Sequence, residues 1–146
     1  MTSTLRRLRE NRAGNVAMIV EDEIFVALDL ERILTDAGYS VCAIAPDSEA
    51  AIAAAPQCDF ALVDVNLRDG CTGPDIARRM AREHGVKVVF VTANPAQIGE
   101  AAHALGYVRK PFSEAAILLA AKLAGGEHHP PANDDLQQIG HPASNG

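Results

Sequence analysis

Phe60-Ala61-Leu62-Val63-Asp64-Val65-Asn66 is the stretch on which the fold turns. Phe60–Val63 reads as a short buried strand at the centre of a sheet, and Asp64 follows it where a solvated surface Asp would be unusual. Working outward, three more segments share this form, an apolar run closing on a few polar residues. Val16–Val20 ends in Glu21-Asp22-Glu23, Val86–Val91 ends in Thr92-Ala93, and Tyr107-Val108 ends in Arg109-Lys110-Pro111-Phe112. Each polar group then stands at the C-terminal end of a strand, the edge at which open parallel α/β sheets form their sites.

Helix-like segments fill the intervals. Ile24, Phe25, Leu28, Ile33 and Leu34 recur at helical spacing and stop at Gly38, a candidate left-handed cap. After a second strand at Val41–Ala45, Pro46 and Asp47 open an Ala-rich helix that Pro56 stops. Thr72-Gly73-Pro74 opens a third, with Ile76, Ala77, Met80 and Ala81 as its buried stripe and Gly85 as its end. Ser113 caps the last, whose stripe is Ile117, Leu118, Ala121 and Leu123, and Gly125-Gly126 closes it. Five apolar runs alternating with five helical segments predict a parallel sheet covered by helices, an α/β doubly wound fold.

Composition agrees. The 146 residues suit one domain, with 48% apolar residues but only 4% aromatics and no Trp, so the core is built from Val, Ile, Leu and Ala. The net charge of −6 is uneven: residues 1–15 carry four Arg and one Glu, and residues 16–126 carry nine basic and fifteen acidic residues. The acidic folded part lacks the footprint of a direct nucleic-acid binder. The basic start is followed by no apolar segment of the kind that directs export, and no stretch has the length to cross a membrane, so a cytoplasmic protein is expected. Cys42, Cys58 and Cys71 form no C-x-x-C pair and are odd in number, as expected of reduced cytosolic thiols. Cys42 and Cys58 read as filler at strand edges; Cys71 stands beside the candidate site. Residues 1–14 read as a flexible basic N-terminus, 15–126 as the folded domain and 127–146 as a disordered tail, in which His128 and His129 are an incidental polar pair. No second domain is expected after the first, so output must come through contacts made by this one.

In a sheet ordered 2-1-3-4-5 the first and third strands are neighbours, which brings Glu21, Asp22 and Asp64 together. Three such carboxylates repel one another and call for a cation, and all-oxygen ligands favour Mg2+ or Mn2+. With the Thr92 hydroxyl and the Lys110 ammonium at the same edge, the set makes a metal-dependent phosphoryl-accepting site.

The order and spacing of these residues resemble the receiver domain of two-component response regulators, over Asn15 to Gly125. Lys110-Pro111-Phe112 says little as a lone triplet, but forty-six residues after Asp64 and following the fifth apolar run it is a strong match. The resemblance implies a five-stranded flavodoxin-like (βα)5 fold in the order 2-1-3-4-5. It implies that Asp64 accepts a phosphoryl group from a histidine kinase or histidine phosphotransfer protein. Asp22 and Asp64 would ligate Mg2+ directly, Glu21 largely through water, and the Asn66 main-chain carbonyl would complete the protein ligands. Lys110, aimed by a cis peptide bond to Pro111, would neutralise phosphoryl oxygens. Thr92 and Tyr107 would form the switch, the hydroxyl moving towards the phosphoryl group and the aromatic ring turning inward. Such a protein is a signalling module acting on a downstream protein target, not an enzyme beyond its own phosphorylation and dephosphorylation.

Three features depart from the common pattern. The acidic pair is Glu-Asp where Asp-Asp is frequent. The segment Asn94-Pro95-Ala96-Gln97-Ile98-Gly99-Glu100 is short and holds Pro and Gly, so the fourth helix is expected to shrink to a turn or two. That helix, with the fifth strand and the last helix, is the family's usual dimerisation surface, which allows a homodimer but alters its face. Finally, the run from Asp64 to Gly73 and the run Val91-Thr92-Ala93-Asn94-Pro95 resemble the receiver half of stress-response regulators that mimic a sigma factor. Only fifteen residues precede the first strand, so the sigma-like half is not expected in this chain.

Two other readings compete. Haloacid-dehalogenase-like phosphatases also place an Asp nucleophile with Mg2+ at a strand end, but need a second Asp two residues on, where this chain has Asn66. A pseudo-receiver would share the fold without being phosphorylated; the joint presence of Asp22, Asp64, Thr92 and Lys110 argues against it.

Overall fold

In a computed structural model, the described residues are 15–99, 103–125 and 136–138. The strands are β1 (Val16–Val20), β2 (Ser40–Ala45), β3 (Phe60–Val63), β4 (Lys87–Thr92), β5 (Ala104–Arg109) and β6 (Leu136–Gln138). Four α-helices, α1 (Ile24–Asp36), α2 (Ser48–Ala54), α3 (Gly73–His84) and α4 (Glu114–Ala124), connect or follow the first five strands. The sheet runs β2-β1-β3-β4-β5-β6; the first five strands are parallel, as expected of a flavodoxin-like sheet.

The central strands are buried throughout because both faces are covered, which is why their sequences are almost continuously apolar. Alternation along each strand divides the core into two layers. Met18, Val20, Ala61, Val63, Val88 and Phe90 point to one face, under α2 and α3. Ala17, Ile19, Phe60, Leu62, Val89 and Val91 point to the other, under α1 and α4. The caps read from sequence are in place: Asp47 accepts a hydrogen bond from the Ala50 N–H (3.0 Å) and Ser113 from the Ala116 N–H (3.1 Å). Gly85 closes α3 at φ 68°, a conformation that a side chain would strain.

Three expectations are modified. The buried stripe of α1 is Ala27, Leu30, Ile33 and Leu34, whereas Ile24, Phe25 and Leu28 lie on the opposite side and are exposed. Both sets keep helical spacing, so periodicity alone could not say which one faces the sheet. In α4 the stripe is Ala116, Ile117, Ala120, Ala121 and Ala124, alanines around one large buried Ile, with Leu118 and Leu123 only half-buried. The third correction concerns the tail. Residues 136–138, read as part of a disordered segment, form β6, antiparallel to β5, with Gly106 opposite Gln138 and Val108 opposite Leu136. An edge strand offers unpaired backbone groups to any extended segment, and this pairing occupies those of β5. The rest of the tail and the basic N-terminus lie outside the described residues.

Between β4 and β5 the described chain makes a 3₁₀ turn at Pro95–Ile98 in place of a regular fourth helix, as the Pro and Gly content anticipates. Ile98 is 6% exposed and joins the layer beneath α2 and α3, with Tyr107 of β5 packed against the same layer.

Candidate phosphoryl-acceptor site

Register builds the site. Val20 pairs with Val63, so Glu21 and Asp64 leave the sheet side by side at the C-terminal edge. Backbone bonds continue past the strands: Asp64 N–H donates to the Val20 carbonyl (2.9 Å) and Glu21 N–H to the Ala45 carbonyl (2.9 Å). On the other flank Thr92 pairs with Arg109, and Lys110 N–H donates to the Thr92 carbonyl at 3.0 Å, which sets the start of the Lys110 arm. The Lys110–Pro111 peptide is cis.

Lys110 reaches across the edge to both buried carboxylates. Its Nζ donates to Glu21 Oε1 at 2.6 Å and to Asp64 Oδ2 at 2.9 Å. Asp64 Oδ1 accepts the Val65 N–H (2.7 Å), and Glu21 Oε2 accepts the Glu23 N–H (3.1 Å). Glu21 and Asp64 are 3% and 8% exposed, so these bonds offset desolvation that would otherwise oppose their charge. Burial raises the Glu21 carboxyl, more than the bonds from Lys110 and Glu23 lower it. For Lys110 burial works against the ammonium, but its bonds to Glu21 and Asp64 outweigh it and hold the group above its usual range.

Asp22 is exposed at the rim, and Glu21, Asp22 and Asp64 each offer a carboxylate oxygen within 4.8 Å of the others. The donor set is hard and all-oxygen, and three carboxylates against one ammonium leave two negative charges, the amount one divalent cation neutralises. These residues therefore fit a Mg2+-like ion. A cleft of about 270 Å³ opens over them, lined by Asp22, Glu23, Asp64, Asn66, Leu67, Ala93, Asn94 and Lys110.

The other sequence-selected residues stand around this cleft in different ways. Asn66 lines it, and its side-chain amide donates to Gln97 Oε1 of the 3₁₀ turn at 2.7 Å. Thr92 is fully buried at the same edge, with Oγ1 accepting the Asn94 N–H at 3.0 Å. Tyr107 is half-buried on β5, opposite Phe90 of β4, and is not among the residues lining the cleft. Cys42, Cys58 and Cys71 are thiols rather than disulfides.

Two residues went unselected as site residues. Gly73 opens α3 where the helix start presses on the chain leaving β3: its N–H donates to the Val65 carbonyl (3.0 Å). A Cβ there would lie 2.7 Å from Val65 Cα and closer still to the Asp64 carbonyl oxygen. Asp69 ties the loop after β3 to α2 by accepting from Ser48. Gly73 was visible in sequence only as a helix-opening residue, and Asp69 only as one of many surface acids.

The family comparison agrees with this geometry. Residues 17–122 match the response regulator receiver domain, and the chain belongs to that family. Among curated proteins it is 30% identical over 117 residues to the phyllosphere-induced regulator PhyR of Methylorubrum extorquens, covering 77% of this chain and 43% of that protein. It is also 30% identical over 115 residues to the transcriptional regulatory protein PdtaR of Mycobacterium tuberculosis, covering 73% of this chain and 55% of the relative. The chain thus spans about half the length of the curated relatives it matches. Among solved structures, the PhyR response regulator REC domain of Erythrobacter litoralis superposes with a TM-score of 0.71 at 26% identity, covering 82% of this chain and 96% of that one. The PhyR matches agree with the resemblance to stress-response regulators read from the Asp64–Gly73 and Val91–Pro95 runs. No helix among the described residues is long and apolar enough to cross a membrane.

Proposed function

We propose that this chain is a phosphorylatable receiver that takes a phosphoryl group onto Asp64 and signals through protein contacts. The observation that carries the reading is the Lys110 ammonium held on Asp64 Oδ2 and Glu21 Oε1 beneath an open cleft. An Asp64 oxygen attacks the phosphorus of a phosphohistidine in line; the P–O bond forms as the P–N bond breaks, and the imidazole leaves with the electron pair. Lys110, already beside Asp64, meets the charge on the phosphoryl oxygens, so the protein contributes position and electrostatics rather than an acid or base. A Mg2+ or Mn2+ ion held by Glu21, Asp22, Asp64 and the Asn66 main-chain carbonyl would supply the remaining charge neutralisation. Hydrolysis of the acyl phosphate resets the protein.

The donor is a histidine kinase or histidine phosphotransfer protein. Ile24, Phe25 and Leu28 expose an apolar face that begins right after the cleft residues Asp22 and Glu23, a surface such a donor would cover while reaching Asp64. Readout runs through Thr92 and Tyr107 to a downstream protein. Membership of the receiver family supports a signalling role, and a cytoplasmic setting suits thiols that form no disulfide.

Incubation with Mg2+ and acetyl phosphate or phosphoramidate, followed by intact mass measurement, tests the reading. One added phosphoryl group, absent in Asp64→Asn, supports it. A wild-type protein that stays unmodified, and does not respond to beryllium fluoride, would be an interaction module with a receiver fold. Enzymatic turnover of free phosphate esters would point to a phosphatase.

A further inference from the structure

The loop from Asp64 to Gly73 must hold the acceptor carboxylate and the Asn66 carbonyl in place, yet it contains no regular element. Asp69 fastens it to α2. Asp69 Oδ2 accepts from both the Ser48 hydroxyl (2.7 Å) and the Ser48 N–H (3.2 Å), while Oδ1 accepts from the Thr72 hydroxyl (2.7 Å). Ser48 is the first residue of α2, twenty-one positions away in sequence. Beside this contact Arg68 N–H donates to the Pro46 carbonyl (3.3 Å), so the loop meets the β2–α2 junction at two adjacent points. Within the loop Leu67 and Gly70 exchange N–H···O bonds of 2.8 and 3.0 Å, a narrow bridge that Gly70 permits at φ 111°.

These bonds divide the loop between two duties. The Leu67–Gly70 bridge and the Asp69–Thr72 bond fix its internal shape, and the Asp69–Ser48 bonds fix where that shape sits relative to the sheet. Leu67 and Asn66 line the cleft, so a shift of the bridge moves the cleft wall. The two hydroxyl bonds hold the Asp69 carboxyl down to about 2, so it is a charged acceptor throughout the neutral range.

We propose that Asp69 is a positioning residue for the acceptor site: by gripping Ser48 and Thr72 it sets the loop so that Asp64 and the Asn66 carbonyl are presented together to a divalent cation. This rests on the receiver reading of the site. Groups that orient metal ligands from outside cost about 10–100-fold in metal affinity when removed.

The test titrates MgCl2 into the unphosphorylated protein by isothermal calorimetry, with thermal unfolding in the absence of Mg2+ recorded alongside. Asp69→Ala and Ser48→Ala should weaken Mg2+ binding by about tenfold, the lower end of that range. Ser48→Thr, which keeps the hydroxyl, should restore binding. Ile33→Val serves as the control, destabilising a distant helix without touching the loop. If the Asp69 and Ser48 variants bind Mg2+ as the wild type does, or weaken only as much as an equally destabilised Ile33→Val protein, the positioning role is wrong. Should Asp69→Ala not fold, Asp69→Asn and Ser48→Ala decide the matter by the same readout. A wild type that neither binds Mg2+ nor takes up a phosphoryl group overturns the receiver reading and this role with it. A wild type that does both, with unchanged variants, overturns this role alone.

Discussion

Lys110 Nζ lies 2.9 Å from Asp64 Oδ2 although the two residues are forty-six positions apart. The pair bridges β3 and β5 across β4, the strand between them, and the same ammonium also holds Glu21. Attraction of this kind is strong where water is scarce, but desolvation offsets much of it, so the pair matters mainly through what its loss would leave behind.

Lys110→Ala leaves two buried carboxylates without their cation. We expect a loss of about 1–3 kcal/mol in unfolding free energy, the usual cost of an abandoned buried polar partner. Mg2+ should recover part of it, because a divalent ion can take up the released charge. Urea denaturation with and without MgCl2 measures both effects; a Mg2+-independent midpoint equal to the wild type's would refute them. Phosphoryl uptake from phosphoramidate should slow in the same variant.

Gly73→Ala places a methyl group against the backbone of Asp64 and Val65, which cannot swing away as a side chain would. The helix start must move outward, at a cost of about 1–3 kcal/mol, in the range for overpacking a tight site. Because the added methyl presses on the backbone of Asp64, the residue proposed to accept the phosphoryl group, phosphoryl uptake should fall as well. Thermal unfolding and intact-mass time courses on one preparation check the two together.

Thr92→Ala removes the acceptor of the Asn94 N–H in a fully buried position and should cost about 1 kcal/mol. Asp64 and Lys110 remain, so the variant should still accept a phosphoryl group. What it should lose is the response at Tyr107, measured as the change in the ring's NMR signals on adding beryllium fluoride; Thr92→Ser should keep it. A full response in Thr92→Ala would remove Thr92 from the switch.

Acid should expose the contribution of Asp69. Its carboxyl falls from an ordinary 3.8 to about 2, through the hydroxyl bonds of Ser48 and Thr72. A lowered carboxyl favours the fold above the unfolded value, and that benefit disappears as pH falls through the folded one. The stability difference between wild type and Asp69→Asn should therefore be constant above pH 4 and shrink between pH 4 and about 2. It should be small throughout, since the group is open to solvent. Denaturation midpoints across that range decide it, and a difference that grows on acidification would contradict the sign.

Much of this molecule is local in origin. The runs Val16–Val20, Phe60–Val63 and Val88–Val91 are buried on both faces, so burial wrote them as unbroken apolar stretches that can be read without a structure. Caps at Asp47, Ser113 and Gly85 are equally local, since each acts on its own helix end. Alternation of elements gave a parallel sheet; its order, and with it the meeting of Glu21, Asp22 and Asp64, came from the resemblance to receiver domains, and the first five strands take that order. By itself, then, the sequence determined five of the strands, the helices between them and the charged residues at the strands' C-terminal ends.

Tertiary structure decided what depends on relative placement. Two apolar sets on α1 both satisfy helical spacing, and only docking onto the sheet chose Ala27, Leu30, Ile33 and Leu34, leaving Ile24, Phe25 and Leu28 exposed. The pairing of Leu136–Gln138 with β5 carries no apolar signature, because a short edge strand is held by backbone bonds that any sequence can make. Asp69 is one surface acid among many until the fold sets Ser48 beside it. Periodicity and burial are properties of neighbouring residues and survive in the sequence; a hydrogen bond between loops belongs to distances that only the folded chain creates.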